Sequence, residues 1–368
     1  MAELMKDKYY NYETVNDLAL SIQSVYSSFK VNDFVNEIID KSWPELELKA
    51  RMRRITIHLG KYLPAAYEKA IGILNEVVAG YPEDYSNSSV LCFADFVEVY
   101  GQDECYWDLS IDALAKYTQF ATAEFAVRPF IINNEKRMMN QMAIWAKDKN
   151  HHIRRLASEG CRPALPWGQA LTNFKKDPLP IINILEELKN DSSLYVRKSV
   201  ANNLNDISKT HPDLVIQIAK SWYGKNEYTD WIIKHGCRTL LKKGNSDVLN
   251  IFGFVDTDCI QISDFLLDKD TIHIGESISF SFTIETEKDI KLRLEYGVEY
   301  SKAKEKRSYK IFQLSEILLK AKQKKEYVKT HSFADLSTRK HYKGMHSITL
   351  IVNGKKFKTL EFEVNEAK

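Results

Sequence analysis

From about residue 13 to residue 250, apolar residues recur at three- and four-residue spacing, in segments of ten to twenty broken by Pro, Gly, Asn or Asp. That is the period of helices with one buried face. Segment 44–62 predicts a helix with Pro44 in its first turn and an end before Pro64. Leu46, Leu48, Met52, Ile55 and Leu59 form much of one stripe, with Lys49, Arg51, Arg53 and Arg54 largely off it. Segments 193–209 and 227–243 predict two more helices, stopped by His211-Pro212 and by the C-capping Gly244. After Gly253 the period becomes two: SISFSFTIE (277–285), IKLRLEYGVEY (290–300) and SITLIVNGKKFKTLEFEV (347–364) alternate as strands, and Asn353-Gly354 predicts a hairpin turn. Several short strands in about 110 residues predict a β-sandwich of immunoglobulin type.

Three helical segments also match one another. IRRLASEGC from Ile153, VRKSVANNL from Val196 and IKHGCRTLL from Ile233 align at offsets of 43 and 37 residues, the length of a two-helix repeat of the HEAT or armadillo kind. The expected architecture is therefore an α-solenoid of HEAT-like repeats over 1–253, followed by an immunoglobulin-like sandwich over 254–368. Stacked repeats set equivalent positions in a row, so Arg154/Arg155, Arg197/Lys198 and Lys234/His235 predict either a basic stripe along one wall or a plain solvated face.

Composition narrows the class. At 44% hydrophobic and 28% charged over 368 residues, the chain reads as a soluble globular protein, and no apolar run reaches the length of a membrane helix. The N-terminus MAELMKDKYYNYE has no secretory pattern, so a cytoplasmic, membrane-free monomer is expected. Five scattered cysteines without a C-x-x-C pair predict reduced thiols. His58, His151, His152, His211 and His235 have no spacing that suggests a metal triad, and phosphate-loop, dinucleotide and hydrolase-elbow motifs are missing, so neither metal nor cofactor is expected. Net charge is only +2, but residues 259–368 carry 21 Lys+Arg against 16 Asp+Glu, leaving the longer part slightly acidic. A helical domain of that kind binds a polyanion only by gathering its cations on one face.

One stretch departs from a simple amphipathic helix. HHIRRLASEGCRPALPWG (151–168) places a glutamate, a cysteine, two prolines and a tryptophan within a dozen positions. It resembles the signature of the AlkC branch of the AlkC/AlkD family of HEAT-like-repeat DNA glycosylases, as do FATAEFAVRPFI (120–131) and VRKSVANNLNDISKTHPD (196–213) in the same order. The resemblance spans nearly the whole helical part, and many AlkC proteins carry a C-terminal immunoglobulin-like domain. It implies that Glu124, Glu159, Trp167 and Asp206 surround the damaged nucleotide of duplex DNA. Cys161 stands where the family has a small residue, and His152 where it has an acidic or polar one.

Elementary chemistry points the same way. A base alkylated at N3 is cationic and leaves without protonation. What remains is to stabilise positive charge developing on the sugar and to position a water, which carboxylates do at oxocarbenium-like transition states. The indole of Trp167 adds cation–π attraction. Arg154, Arg155 and Arg162, then Arg128, Arg197 and Lys198, are the expected phosphate contacts. Without a lysine at the matching catalytic positions, no Schiff-base lyase step is expected. The resemblance further implies that the carboxylates approach the deoxyribose of a bent duplex without a tight pocket for the base.

Each residue also has a plain structural alternative. Glu159 lies four residues after Arg155 and is placed for a surface ion pair, Glu124 for a first helical turn, Asp206 for backbone hydrogen bonding at a helix end, and Trp167 for core. The rival function is a non-catalytic HEAT-like module that binds DNA structure or a protein partner. Ile153, Leu156 and Ala157 are expected in the core, with Arg154, Arg155 and Glu159 facing a DNA groove, and the two prolines turning Trp167 back toward Glu159. Cys161 has no assigned role. The Lys-rich segments 302–310 and 320–329 are expected to add DNA affinity without chemistry, such that deleting 259–368 weakens binding.

Overall fold

The computed structural model describes residues 4–82, 88–303, 306–336 and 339–367. The first helices are α1 (Met5–Tyr9), α2 (Tyr12–Val25), α3 (Val31–Ile38), α4 (Leu48–Tyr62), α5 (Tyr67–Ala79), α6 (Leu91–Tyr100) and α7 (Trp107–Tyr117). There follow α8 (Val127–Asn133), α9 (Glu135–Trp145), α10 (His151–Gly160), α11 (Thr172–Lys176), α12 (Leu179–Leu188) and α13 (Leu194–Ile207). The last are α14 (Pro212–Trp222), α15 (Glu227–Gly236), α16 (Arg238–Lys242) and α17 (Ser246–Ile251). Compactness groups the residues up to His211 with Gly224–Gly236, and Pro212–Tyr223 with everything from Cys237 onward. The change from helix to strand falls between Ile251 and Ile260, while α14, α16 and α17 belong with the sandwich.

The helical unit follows from its apolar spacing. In α2, Asn11 caps the first turn, its side chain accepting from Thr14 N, and Val15, Leu18, Ala19 and Ile22 are buried at i, i+3, i+4 and i+7. The three aligned segments are α10, α13 and α15, and α13 packs against the other two on either side. Small side chains allow the close approach: Ser158 Oγ lies 2.6 Å from Ser199 Oγ, and Asn203 donates to Ser158 O. Gly160 ends α10 against α8 and α9, where a Cβ would stand 2.6 Å from a Val127 methyl.

Three local expectations change. Pro44 sits in a 3-10 turn, Trp43–Glu45, and α4 starts only at Leu48. Arg51, expected off the stripe, is buried, because its guanidinium donates to the Lys6 and Tyr10 carbonyls. Segment 227–243 is two helices, α15 and α16, broken at Cys237.

In the second unit, the eight strands among the described residues form two sheets: β1 (Ile260–Leu267), β3 (Ser277–Thr286) and β6 (Lys324–Ser332) in the order β1-β3-β6, and a second sheet in the order β2-β8-β7-β4-β5. Its members are β2 (Thr271–His273), β8 (Lys355–Asn365), β7 (Gly344–Val352), β4 (Ile290–Ser301) and β5 (Arg307–Leu319). Ile278, Phe280, Phe282 and Ile284 face Leu292, Leu294, Ile348, Leu350 and Phe362 in the core. Cys259 is a free thiol, as are the other four cysteines, so no disulfide joins the sheets. Asn353 and Gly354 take positive φ of 45° and 77° and close the predicted hairpin, with Val352 paired to Lys355.

Three histidines stand inside this sandwich. His331 bridges the Tyr296 and Tyr300 hydroxyls at 3.0 and 2.8 Å, and His346 and His341 pack around Phe333. Burial pushes the pKa of His331 and His341 down to about 4, helped by the nearby Arg339. The unfolded chain, with histidines near 6.5, therefore takes up protons first as the pH falls, and this part of the stability is complete above about pH 6.5 and lost progressively toward pH 4. Thermal melts should show a fall in Tm between pH 7.5 and 5 that is smaller in His341→Phe, the variant whose neutral ring has no proton to gain.

Candidate active site

Three loops and helix ends bring the expected residues together. Glu124 sits in the turn before α8, Glu159 in the last turn of α10, Asp206 near the end of α13, and Trp167 in the loop that Pro163 and Pro166 divert from α10. Although 35 and 47 residues separate the carboxylates, they are links of one ion-paired chain. Arg155 contacts Glu124 at 2.7 Å and Glu159 at 3.6 Å, Arg162 contacts Glu159 at 2.6 Å and Asp206 at 2.9 Å, and Lys209 closes the far end on Asp206 at 2.9 Å.

This arrangement solves a local problem. A carboxylate in the last turn of a helix faces the negative end of the helix dipole, and Glu159 is also only 5% exposed. Two guanidiniums offset both penalties. Burial opposes the positive charge of Arg155 and of Arg162, but the flanking carboxylates more than offset it, and both pKa values rise. Both arginines stay charged at any pH where the protein is folded. The i,i+4 pair Arg155–Glu159 expected from the sequence exists, but as an inner link, and Asp206 caps no backbone group.

A cavity of about 470 Å³ opens beside this chain, within the range of small-molecule sites. Glu124, Glu159 and Arg162 line it together with Phe125, Trp167 and Tyr195. Asp206 belongs to the chain but not to the cavity wall, standing behind Arg162. Trp167 is 66% exposed, so it is not core. Its φ is +63°, a conformation costing a non-glycine residue on the order of 1–3 kcal/mol.

The expected phosphate contacts fare differently. Arg128 is fully buried and donates to Gly160 O at 2.9 Å and to Gln169 O, so it has no face for a phosphate. Arg162 is occupied by Glu159 and Asp206, and Arg155 by Glu124 and Glu159 while lying over the Tyr195 ring. Arg154 grips the Asp191 carboxylate with both Nε and Nη2, and Arg197 donates to the Asp191 and Ser192 carbonyls and stacks on Tyr228. The first basic positions of the first two repeats, Arg154 and Arg197, thus reach toward the next repeat, whereas Lys198, Lys234 and His235 of the predicted stripe are exposed. Lys198 is the one of the six that is exposed. Among the described residues there is no cluster that could hold a metal.

Sequence reasoning missed Lys49 and Tyr195 on the cavity wall. Tyr195 stands just before the second aligned stretch, VRKSVANNL, while Lys49 lies 118 residues from its partner Trp167. Cys161 now has a place: its buried thiol bonds the Ala157 carbonyl and accepts from Asn203, and burial pushes its pKa up to about 12. It is packing, not chemistry.

Comparison with known proteins follows the same division of the chain. Residues 111–240, which contain all four site residues, match the family described as "DNA alkylation repair enzyme". Residues 261–366 match "Uncharacterised protein YhaZ, C-terminal Ig-like domain". The uncharacterized protein YhaZ of Bacillus subtilis (strain 168) is 46% identical over 355 residues, covering 96% of this chain and 98% of that one. The alkylpurine DNA glycosylase AlkC of Pseudomonas fluorescens, solved bound to DNA containing an abasic site analog, superposes with a TM-score of 0.93 at 34% identity over 99% of this chain and 100% of that one. The chain belongs to the AlkC-type DNA alkylation repair family. In this AlkC-type chain the HEAT-like solenoid carries the carboxylate chain and cavity, and the immunoglobulin-like domain follows it.

The ion-paired chain makes a stability prediction. Removing one member of a buried pair strands its partners, a loss of about 3–5 kcal/mol. Arg162→Met leaves Glu159 and Asp206 each short of a buried partner, so urea unfolding should show destabilisation of that order, and Arg154→Met, at a half-buried link, a smaller one.

Proposed function

We propose that this chain is a monofunctional DNA glycosylase that hydrolyses the N-glycosidic bond of cationic alkylated bases in duplex DNA, N3-methyladenine first and N3-methylcytosine as a further substrate. The observation that carries the reading is that Glu124 and Glu159 share one aromatic-lined cavity with Trp167, in a member of a DNA alkylation repair family. A cationic base needs no general acid. As its bond to the sugar stretches, positive charge grows on the deoxyribose, and fixed carboxylates stabilise that charge more than they stabilise the ground state.

In this reading Glu124 and Glu159 face the sugar and the attacking water, while Asp206 adds negative field from one ion pair further in. Trp167 presents its indole face to the cationic nucleotide, a contact of roughly 0.5–2 kcal/mol depending on desolvation. The carboxylates approach the deoxyribose of a bent duplex. Lys49 lines the cavity, its ammonium donating to the Trp167 carbonyl and lying over the Phe125 ring, and in this reading it holds the loop and forms no Schiff base.

Lys198 contributes a phosphate contact, and the sandwich adds affinity. Of the Lys-rich segments, Lys310 lies on β5 and Lys324, Lys325 and Lys329 on β6, each strand at an edge of its sheet, where lysine also blocks edge-to-edge pairing. Of the Lys-rich segment 302–310, residues 304 and 305 lie outside the described residues. Because α14, α16 and α17 are compact with the sandwich, deleting 259–368 would strip them of their partners. Charge substitution is the cleaner probe: Lys310→Glu with Lys329→Glu should weaken DNA binding and lower the salt slope by about 0.9 for each phosphate that is no longer neutralised. An unchanged slope assigns those lysines to edge protection.

The activity test is release of free methylated base from alkylated duplex DNA. Wild type should release it, and Glu159→Gln should be slower by about 10²–10³-fold while still binding abasic-site DNA. Equal, background-level release by both would leave a non-catalytic DNA-binding module.

A further inference from the structure

The left-handed residue of the site, Trp167, is a bulky aromatic, and two cations bond backbone carbonyls of its loop. Lys49, exposed on the first turn of α4, donates from Nζ to the Trp167 carbonyl at 3.0 Å and lies 4.6 Å from the centre of the Phe125 ring. Arg128, buried on α8, donates to the carbonyl of Gly160, next to Glu159, and to that of Gln169, two residues beyond Trp167. Each therefore joins the Glu124 turn or the helix that follows it to the tryptophan loop. Arg128 also reaches the end of the Glu159 helix.

A fully buried guanidinium bonded to carbonyls rather than to a carboxylate is costly, and burial lowers its pKa to about 10. Neither a salt bridge nor a surface role accounts for it. What it accomplishes is to fix a loop whose conformation is unfavourable by itself. Strained backbone persists where the surroundings over-determine it, and it marks sites whose geometry must be held before the ligand arrives.

We propose that Lys49 and Arg128 are positioning residues that lock Trp167 in its left-handed conformation on the cavity wall, setting its indole against the Glu124–Glu159 pair. Lys49 is the outer latch and Arg128 the inner strut. The catalytic consequence rests on the glycosylase reading above, but the lock itself does not.

The test has an arm for each. With 5-fluorotryptophan in place of the six tryptophans, the 19F resonance of Trp167 is assigned by its loss in Trp167→Phe. Lys49→Met, at an exposed position, should broaden or split that resonance and leave the other five unchanged. An unmoved Trp167 signal overturns the lock whether or not the protein is an enzyme. In single-turnover release of methylated base, Lys49→Met should slow the rate by about tenfold or more, by the general sensitivity of catalysis to small misplacement, and Trp167→Ala should slow it too. The double variant should be no slower than Trp167→Ala alone, because both changes remove the same interaction. Multiplying losses, or a change in KM with an intact rate, would make Lys49 an independent phosphate contact and overturn the positioning role. Arg128→Lys, whose single ammonium cannot span two carbonyls, should reproduce the 19F change seen in Lys49→Met.

Discussion

Everything at the site depends on five ion pairs that run, acid to base, through three successive parts of the solenoid: Lys209 to Asp206 to Arg162 to Glu159 to Arg155 to Glu124. Three carboxylates this close would repel one another if left alone. The intervening guanidiniums, each bridging two of the acids, offset that repulsion and hold the carboxylates at fixed spacing. The solenoid supplies what a single helix cannot, since each repeat presents one acid and reaches across to the next.

Such a chain is a poor way to gain stability. Buried ion pairs repay their desolvation only when well made, and apolar residues of the same volume often stabilise as much or more. Its use is to aim charge. The cavity wall carries two of the acids beside Phe125, Trp167 and Tyr195, a combination suited to a cationic, planar group joined to a sugar. Tight inter-repeat packing serves the same end: Ser158 against Ser199, Gly160 against Val127 and Arg154 on Asp191 keep the repeats in register. A loose register would move Asp206 relative to Glu159.

Much of this was legible from residue order, for identifiable reasons. Helices with a buried stripe, the repeat offset and the strands β3, β4, β7 and β8 all show in their periods. Strand β1 did not, because a register shift between Ser263 and Leu266, with Asp264 at φ 54°, breaks its alternation. Strands β5 and β6 did not, because they are edges with lysines where an inner strand would carry apolar residues. The residues that gather along the ion-paired chain and the cavity stand in three short motifs, but the arginines between them were expected to contact phosphates. An arginine beside a carboxylate looks like a phosphate contact in sequence, whereas Arg155 and Arg162 are spent on Glu124, Glu159 and Asp206. Arg128 gave one clue, a charge inside the apolar run FAVRPFII, which fits a buried strut better than a surface hand. Lys49 gave none, since its partner is a backbone carbonyl far along the chain.

The central claim is that Glu124 and Glu159 act on positive charge at the sugar. Affinity for two abasic-site analogues in the same duplex tests it directly, one a neutral tetrahydrofuran and the other a pyrrolidine whose ring nitrogen is cationic like the departing sugar. Since a site built for the transition state binds its charge mimic more tightly, wild type should favour the pyrrolidine by about tenfold or more, and Glu124→Gln with Glu159→Gln should erase that preference while leaving tetrahydrofuran binding intact. Equal affinity of wild type for the two analogues would contradict the account.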